Sequence, residues 1–164
     1  MSVYRFIVFL HVVSAIAFFA AHGVSMMMLF KVHRERSYEN LCNYLDVSSM
    51  AMRPAMMALH GIELTGIVLT IWMGWWRMGW IWASLALFVF IGVIMHKYAG
   101  GYMASVRSAM GMVSQKQLKK GIRPNPMPYE MLMEVVAKGR PQFVLATAGG
   151  AAAAITALMV MKPF

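Results

Sequence analysis

An all-α, integral membrane four-helix bundle is the fold this sequence predicts, and three observations predict it. Of its 164 residues 60% are hydrophobic and only 13% are charged, with a mean hydropathy of +0.62. A soluble domain carries about a quarter charged residues and under half apolar ones. The apolar residues gather in four segments, about 6–30, 54–76, 78–98 and 143–161. Each has the roughly 18–25 residues a helix needs to cross about 30 Å of hydrocarbon. Lys and Arg fall mostly between these segments, not within them. Disorder is excluded by the hydrophobicity, and residues 1–164 read as one transmembrane domain. Because lipid offers no hydrogen bonds to a backbone, the segments are helices and not strands.

The first segment carries Arg5 before it and a small-residue run Ala15-Ile16-Ala17, in the manner of a signal peptide. Its apolar run continues to Phe30, longer than a cleaved core of about 7–15 residues, so it is read as a span. Arg53-Pro54 opens the second segment, and a tight turn joins it to the third. Trp72, Trp75, Trp76, Trp80 and Trp82 cluster at that turn as an interfacial aromatic belt. The loop over about 100–140 is the one sizeable part outside the spans. Its portion 102–120 reads as an extension of the third helix or an amphipathic surface helix. Pro124, Pro126 and Pro128 break it, 129–137 reads as a short helix, and Pro141 opens the fourth span. In that span Gly149-Gly150 and Ala151–Ala154 permit close helix approach.

The formal charge is +9. Twelve Lys and Arg follow the first and third spans, against Arg5, Arg77 and Lys162 on the other side. This asymmetry predicts a multi-pass protein of the cytoplasmic (inner) membrane, with both termini outside and a long basic cytoplasmic loop between helices three and four. No basic stripe carries interleaved aromatics, so nucleic acid is not an expected partner. Cys42 stands alone and forms no internal disulfide. GxSxG, HExxH, Walker A and GxGxxG motifs are absent.

Ionisable groups inside spans are costly and mark sites. Here they are His11, His22, His60, Glu63 and His96, while His33 reads as an ordinary loop residue. Counting from the segment centres, His22 and His60 lie about 6 and 7 Å from the midplane on the same side. His96 lies about 12 Å to that side and His11 about 10 Å to the other. Two facing imidazoles at one depth suit the axial positions of a b-type haem iron, so His22 and His60 are the expected ligands, with His96 as substitute. Glu63, three residues after His60, would orient a ligand or relay a proton. His11 would serve a second haem or porphyrin. The plain alternative is that these imidazoles hydrogen-bond between helices and hold the bundle together. Nineteen methionines, among them Met26-Met27-Met28, Met56-Met57 and Met131-Leu132-Met133, invite a copper reading. Methionine also fills apolar positions without any metal.

Tyr4–His11, Phe18-Phe19-Ala20-Ala21 and Leu29–His33 resemble the first helix of the CopD/HemJ-like superfamily of membrane proteins. Arg53-Pro54-Ala55-Met56, Met95-His96-Lys97-Tyr98 and the final Lys162-Pro163-Phe164 extend that resemblance. It implies a four-helix haem- or metal-associated bundle in which His11 is functional, together with a lysine near the start of the third helix. Trp80-Ile81-Trp82-Ala83-Ser84 holds no lysine there, which points to the uncharacterised branch and away from porphyrinogen oxidation. The expected function is haem b binding with electron handling in the bilayer, as a possible component of a membrane oxidoreductase beside other redox subunits or a quinone. Copper or cation transport is one alternative, and a cofactor-free accessory subunit of a respiratory or photosynthetic complex is the other.

Overall fold

The computed structural model describes residues 3–112, 121 and 125–163. Among them are six α-helices and no strand. Helix α1 spans Val3–Arg34 and α2 spans Tyr38–Trp72. A 3-10 turn at Trp75–Arg77 leads to α3, Gly79–Ile94. A π-helical stretch, Met95–Gly100, carries α3 without a break into α4, Gly101–Ala109. Helix α5 spans Tyr129–Ala137 and α6 spans Pro141–Met161. Four rods are thus long and apolar enough to cross a membrane.

The helices form two antiparallel pairs, α1 with α2 and α3 with α6; α1 touches α6 more sparsely. One end of the bundle holds the turn at Met73–Met78, the start of α1 and the end of α6. At this terminal end Lys162 lies 4.1 Å from the Trp75 ring centroid, and Trp75 meets Trp80 edge-on at 5.5 Å. The other, basic end holds the Glu35–Ser37 connection, α4 and α5.

Helix α2 begins sixteen residues before Pro54, so the expected start of the second span marks no helix boundary. Leu41, Leu45, Ser48, Ala55 and Leu69 are its buried residues, and the first four form a stripe at helical spacing toward the basic end. At 32 and 35 residues, α1 and α2 measure about 48 and 52 Å, well beyond a hydrocarbon layer. Lys31, Arg34, Glu39, Asp46 and Arg53 lie on the surplus turns. Charge confines the lipid-spanning parts of these helices to within residues 6–30 and 54–72, where Glu63 is the one acidic or basic residue.

The main buried cluster joins the surplus turns of α1 and α2 to α4, α5 and the start of α6. Leu29, Val32, Leu41, Leu45, Tyr102, Val106, Ala109, Met110, Leu132, Val136 and Val144 form one cluster at the basic end. Outside lipid, burying each such Leu or Val stabilises by roughly 1.5–3 kcal/mol. Polar bonds stitch the same region. Tyr102 Oη donates to the Val136 carbonyl at 2.8 Å, and His33 Nδ1 donates to it at 3.2 Å. Tyr38 Oη donates to Met110 O at 2.9 Å, and Arg107 reaches Leu45 O, Ser49 Oγ and, at 3.8 Å, Asp46. His33, expected to be an ordinary loop residue, is therefore a tie between α1 and α5. The spans differ: no residue of α1's most apolar window is buried. Lipid is as apolar as leucine, so nothing drives burial there except packing and hydrogen bonds.

The third rod bears out the extension read at 102–109. Of the portion 113–120, together with Ile122, Arg123 and Pro124, the expectations lie outside the described residues. Helix α5 and the opening of α6 at Pro141 stand as expected. Close approach on α6 uses Val144, Ala148 and Ala151, which are buried, while Gly149 and Gly150 are exposed.

Candidate functional site

The register between α1 and α2 decides which imidazoles can meet. Three contacts fix it. His11 Nδ1 lies 2.9 Å from Thr65 Oγ1. A Cβ on Gly61 would stand 2.6 Å from Ser14 Oγ. Ser25 Oγ donates to Ser48 O at 3.3 Å. Thr65 is thus opposite His11, Gly61 opposite Ser14 and Ser48 opposite Ser25. His60 is level with Ser14 and Ala15, and His22 with the neighbourhood of Arg53. The two expected axial ligands are therefore offset by about 10 Å along the bundle. Span centres suggested one level because they were counted from Pro54, whereas the pairing runs along the full length of α2.

Each imidazole has its own surroundings. Thr65 Oγ1 donates its one proton to Gly61 O at 2.6 Å and so accepts from His11 Nδ1. His11 is a hydrogen-bonded knob in the α1–α2 seam, its Cε1 carbon lying against the glycine face at Gly66. His22 is half-buried and stacks on Phe18, one turn earlier, at 5.2 Å between centroids and 10° between planes. His96 is exposed on the π-helical stretch. With Lys97, Val89, Gly92, Val93 and Gly101 it lines an open groove of 690 Å³.

His60 and Glu63 form the one pair that the structure brings together. His60 Nδ1 lies 3.0 Å from Glu63 Oε2. The side chains are 69% and 42% exposed, on the side of α2 that faces away from α1. That is the only side-chain hydrogen bond either residue makes among the described residues. A carboxylate on Nδ1 fixes the ring and leaves Nε2 pointing outward, the arrangement by which second-shell carboxylates orient ligand imidazoles. His60 lies seven residues, about 10 Å, inside the level of Arg53 and twelve, about 18 Å, from Trp72. It faces what would be hydrocarbon.

A bis-imidazole haem held by His22 and His60 of one chain does not fit this register. Nor do three or more His, Cys, Asp or Glu side chains converge on a metal-sized point among the described residues. The methionine runs do not converge either: Met26 packs against the core, Met27, Met56, Met57 and Met131 are exposed, and Met133 packs beside Arg36. Sequence spacing found His60 and Glu63 as neighbours, since residues three apart share a helix face. It gave no signal that this face is uncovered.

A family model described as "Predicted integral membrane protein (DUF2269)" matches residues 5–163. No curated protein and no solved structure matches the chain. A match over nearly the whole length, together with four membrane-length helices, makes this chain a member of the DUF2269 family of integral membrane proteins.

Proposed function

We propose that the protein is an accessory subunit of a larger membrane assembly, seated in the cytoplasmic membrane with its termini outside and its basic end in the cytoplasm. The observation that carries this reading is the His60–Glu63 pair, open on one face of α2 within the hydrocarbon-spanning part. Charged or strongly polar side chains inside a bilayer normally face a bundle interior or a partner. No other side chain among the described residues bonds to them, so another membrane polypeptide covers them. The division of labour in the fold supports the same reading: a packed, hydrogen-bonded platform at the basic end holds sparsely packed spans whose faces remain free for neighbours. The distribution of Lys and Arg supports the orientation.

Native mass spectrometry of protein released from the membrane in mild detergent tests this. The expected result is a particle well above the 18.4 kDa chain mass. A single chain and lipid alone would contradict it.

A second reading keeps the haem and rests on the ligand-like pose of His60. Its Nε2 would supply one axial position, with Glu63 holding the ring and the partner polypeptide supplying the other ligand. When bound, the haem would carry single electrons within the bilayer. This reading agrees with the resemblance to CopD/HemJ-like bundles. It expects a Soret band, lost in His60→Ala, from protein expressed with haem available; its absence would eliminate the reading.

A further inference from the structure

We propose that the groove on the third rod holds one anionic phospholipid of the leaflet at the basic end. Lys97 and His96 hold its phosphate, and an acyl chain lies along Val89, Gly92 and Val93. This site is on a different helix from the His60 pair and needs no partner polypeptide.

The winding of the rod builds the groove. In an α-helix, residues four apart drift by about 40° around the axis, so from Val89 to Gly101 the drift would reach about 120°. The π-helical stretch Met95–Gly100 closes wider, i→i+5 turns and takes that drift back. Val89, Val93, Lys97 and Gly101 therefore stand nearly in line, with Gly92 and His96 as a second row beside them. All six line one concavity of 690 Å³. Gly92 deepens it, because a Cβ there would meet no atom within 4 Å. The notch is open space on the outside of the bundle and serves no helix contact within the chain.

Along this line the chemistry changes once. Val89, Gly92 and Val93 are apolar, and His96 and Lys97 follow one turn later. Lys97 lies seventeen residues, about 25 Å, from Trp80 at the terminal end. That is close to the thickness of the hydrocarbon, so its ammonium stands where the lipid phosphates begin. Past Gly101 the platform starts, with Tyr102 tied to the Val136 carbonyl, so the groove ends at headgroup depth. A phospholipid has this same order, an apolar chain and then a phosphate. Charge complementarity selects an anionic one. Among the described residues no carboxylate pairs with Lys97, and none lines the groove. The ammonium of a zwitterionic headgroup would therefore find no partner, while the excess of Lys and Arg at this end favours added negative charge. His96 adds a donor without needing a charge, since a neutral imidazole keeps one N–H in either tautomer.

The test counts lipids on the full-length protein by native mass spectrometry, in mild detergent with phosphatidylglycerol and phosphatidylcholine supplied at equal concentration. Wild type should retain one phosphatidylglycerol per chain, several-fold above phosphatidylcholine. Lys97→Gln should abolish that preference. Gly92→Leu, whose side chain fills the notch, should cut retention of both lipids several-fold at an unchanged Tm. If Gly92→Leu lowers Tm, Lys97→Gln decides alone. Lys31→Gln, an exposed lysine on α1 at the same end, should retain lipid as wild type does. Equal retention of the two lipids by wild type, or an unchanged preference in Lys97→Gln, overturns the proposal. A loss in Lys31→Gln as large as in Lys97→Gln shows a diffuse basic field in place of a site and also overturns it. Displacement of the lipid by glycerol phosphate, the headgroup without its chains, assigns the groove to a soluble phosphate compound. A polypeptide lost in Gly92→Leu with the lipid count unchanged assigns the groove to a protein; either result overturns the proposal. Lipid per chain is read equally from a single chain and from a larger particle, so the outcome is separate from that of the assembly reading.

Discussion

Gly139 shows at the scale of one residue how tightly the basic end is built. A Cβ there would stand 2.7 Å from Tyr102 Cζ, 2.9 Å from its Oη and 3.0 Å from His33 Nδ1. Those two side chains share the Val136 carbonyl, so neither moves without losing a bond. Gly139→Ala should therefore destabilise the protein by about 1–3 kcal/mol, the usual cost of overpacking, read as a lower Tm in detergent. Glu35 shows a charge effect of opposite accessibility. The backbone N–H groups of Ser37 and Arg36 donate to its carboxylate and hold its pKa below the ordinary value. A depressed carboxyl pKa stabilises the fold above the unfolded value, and the contribution is lost as pH falls through the folded value. Glu35→Ala should lower Tm at pH 7, and the gap from wild type should close below about pH 4. A gap constant with pH would contradict this cause.

Among elements, the α1–α2 seam carries an asymmetric bond between His11 and Thr65 beside the Ser25–Ser48 bond, and the asymmetry predicts unequal variants. In His11→Ala the Thr65 hydroxyl keeps its acceptor at Gly61 O, so the loss is small, under about 1 kcal/mol. In Thr65→Val the Nδ1–H of His11 loses its acceptor in a low-dielectric setting, at a cost of about 1–3 kcal/mol. Equal Tm shifts for the two variants would contradict the assigned proton direction. Helix α2 also shows where sequence reading stops. The spans were legible because lipid imposes length and hydropathy on each helix separately. The first half of α2 was not, since Glu39, Asn43 and Asp46 interrupt its apolar run and Pro54 imitates a boundary. Its stripe at Leu41, Leu45 and Ser48 is short, and it gains meaning only from the α4 and α5 surfaces it meets. The site suffered from the same cause. His60 and Glu63 were visible as a pair within one helix, but depth across helices depends on register, which Ser14 against Gly61 and His11 against Thr65 set and no spacing within one segment encodes.

On the scale of the whole molecule, the fold divides into two regimes. The basic end is organised like a small soluble domain, with buried Leu and Val and satisfied polar ties, and the spans lean on lipid and on neighbours. Four apolar segments could be counted from the sequence, but where the core sits could not, because nine of the eleven residues of the main buried cluster lie outside those segments. The account stands or falls on whether the outward face of α2 is covered in the membrane. Spin labels at Leu64→Cys and at Leu85→Cys, in full-length Cys42→Ser protein in bilayers, measure this through their accessibility to dissolved oxygen. The account predicts that the Leu64 label is shielded several-fold relative to the lipid-facing Leu85 label. Equal accessibility at both positions would contradict it.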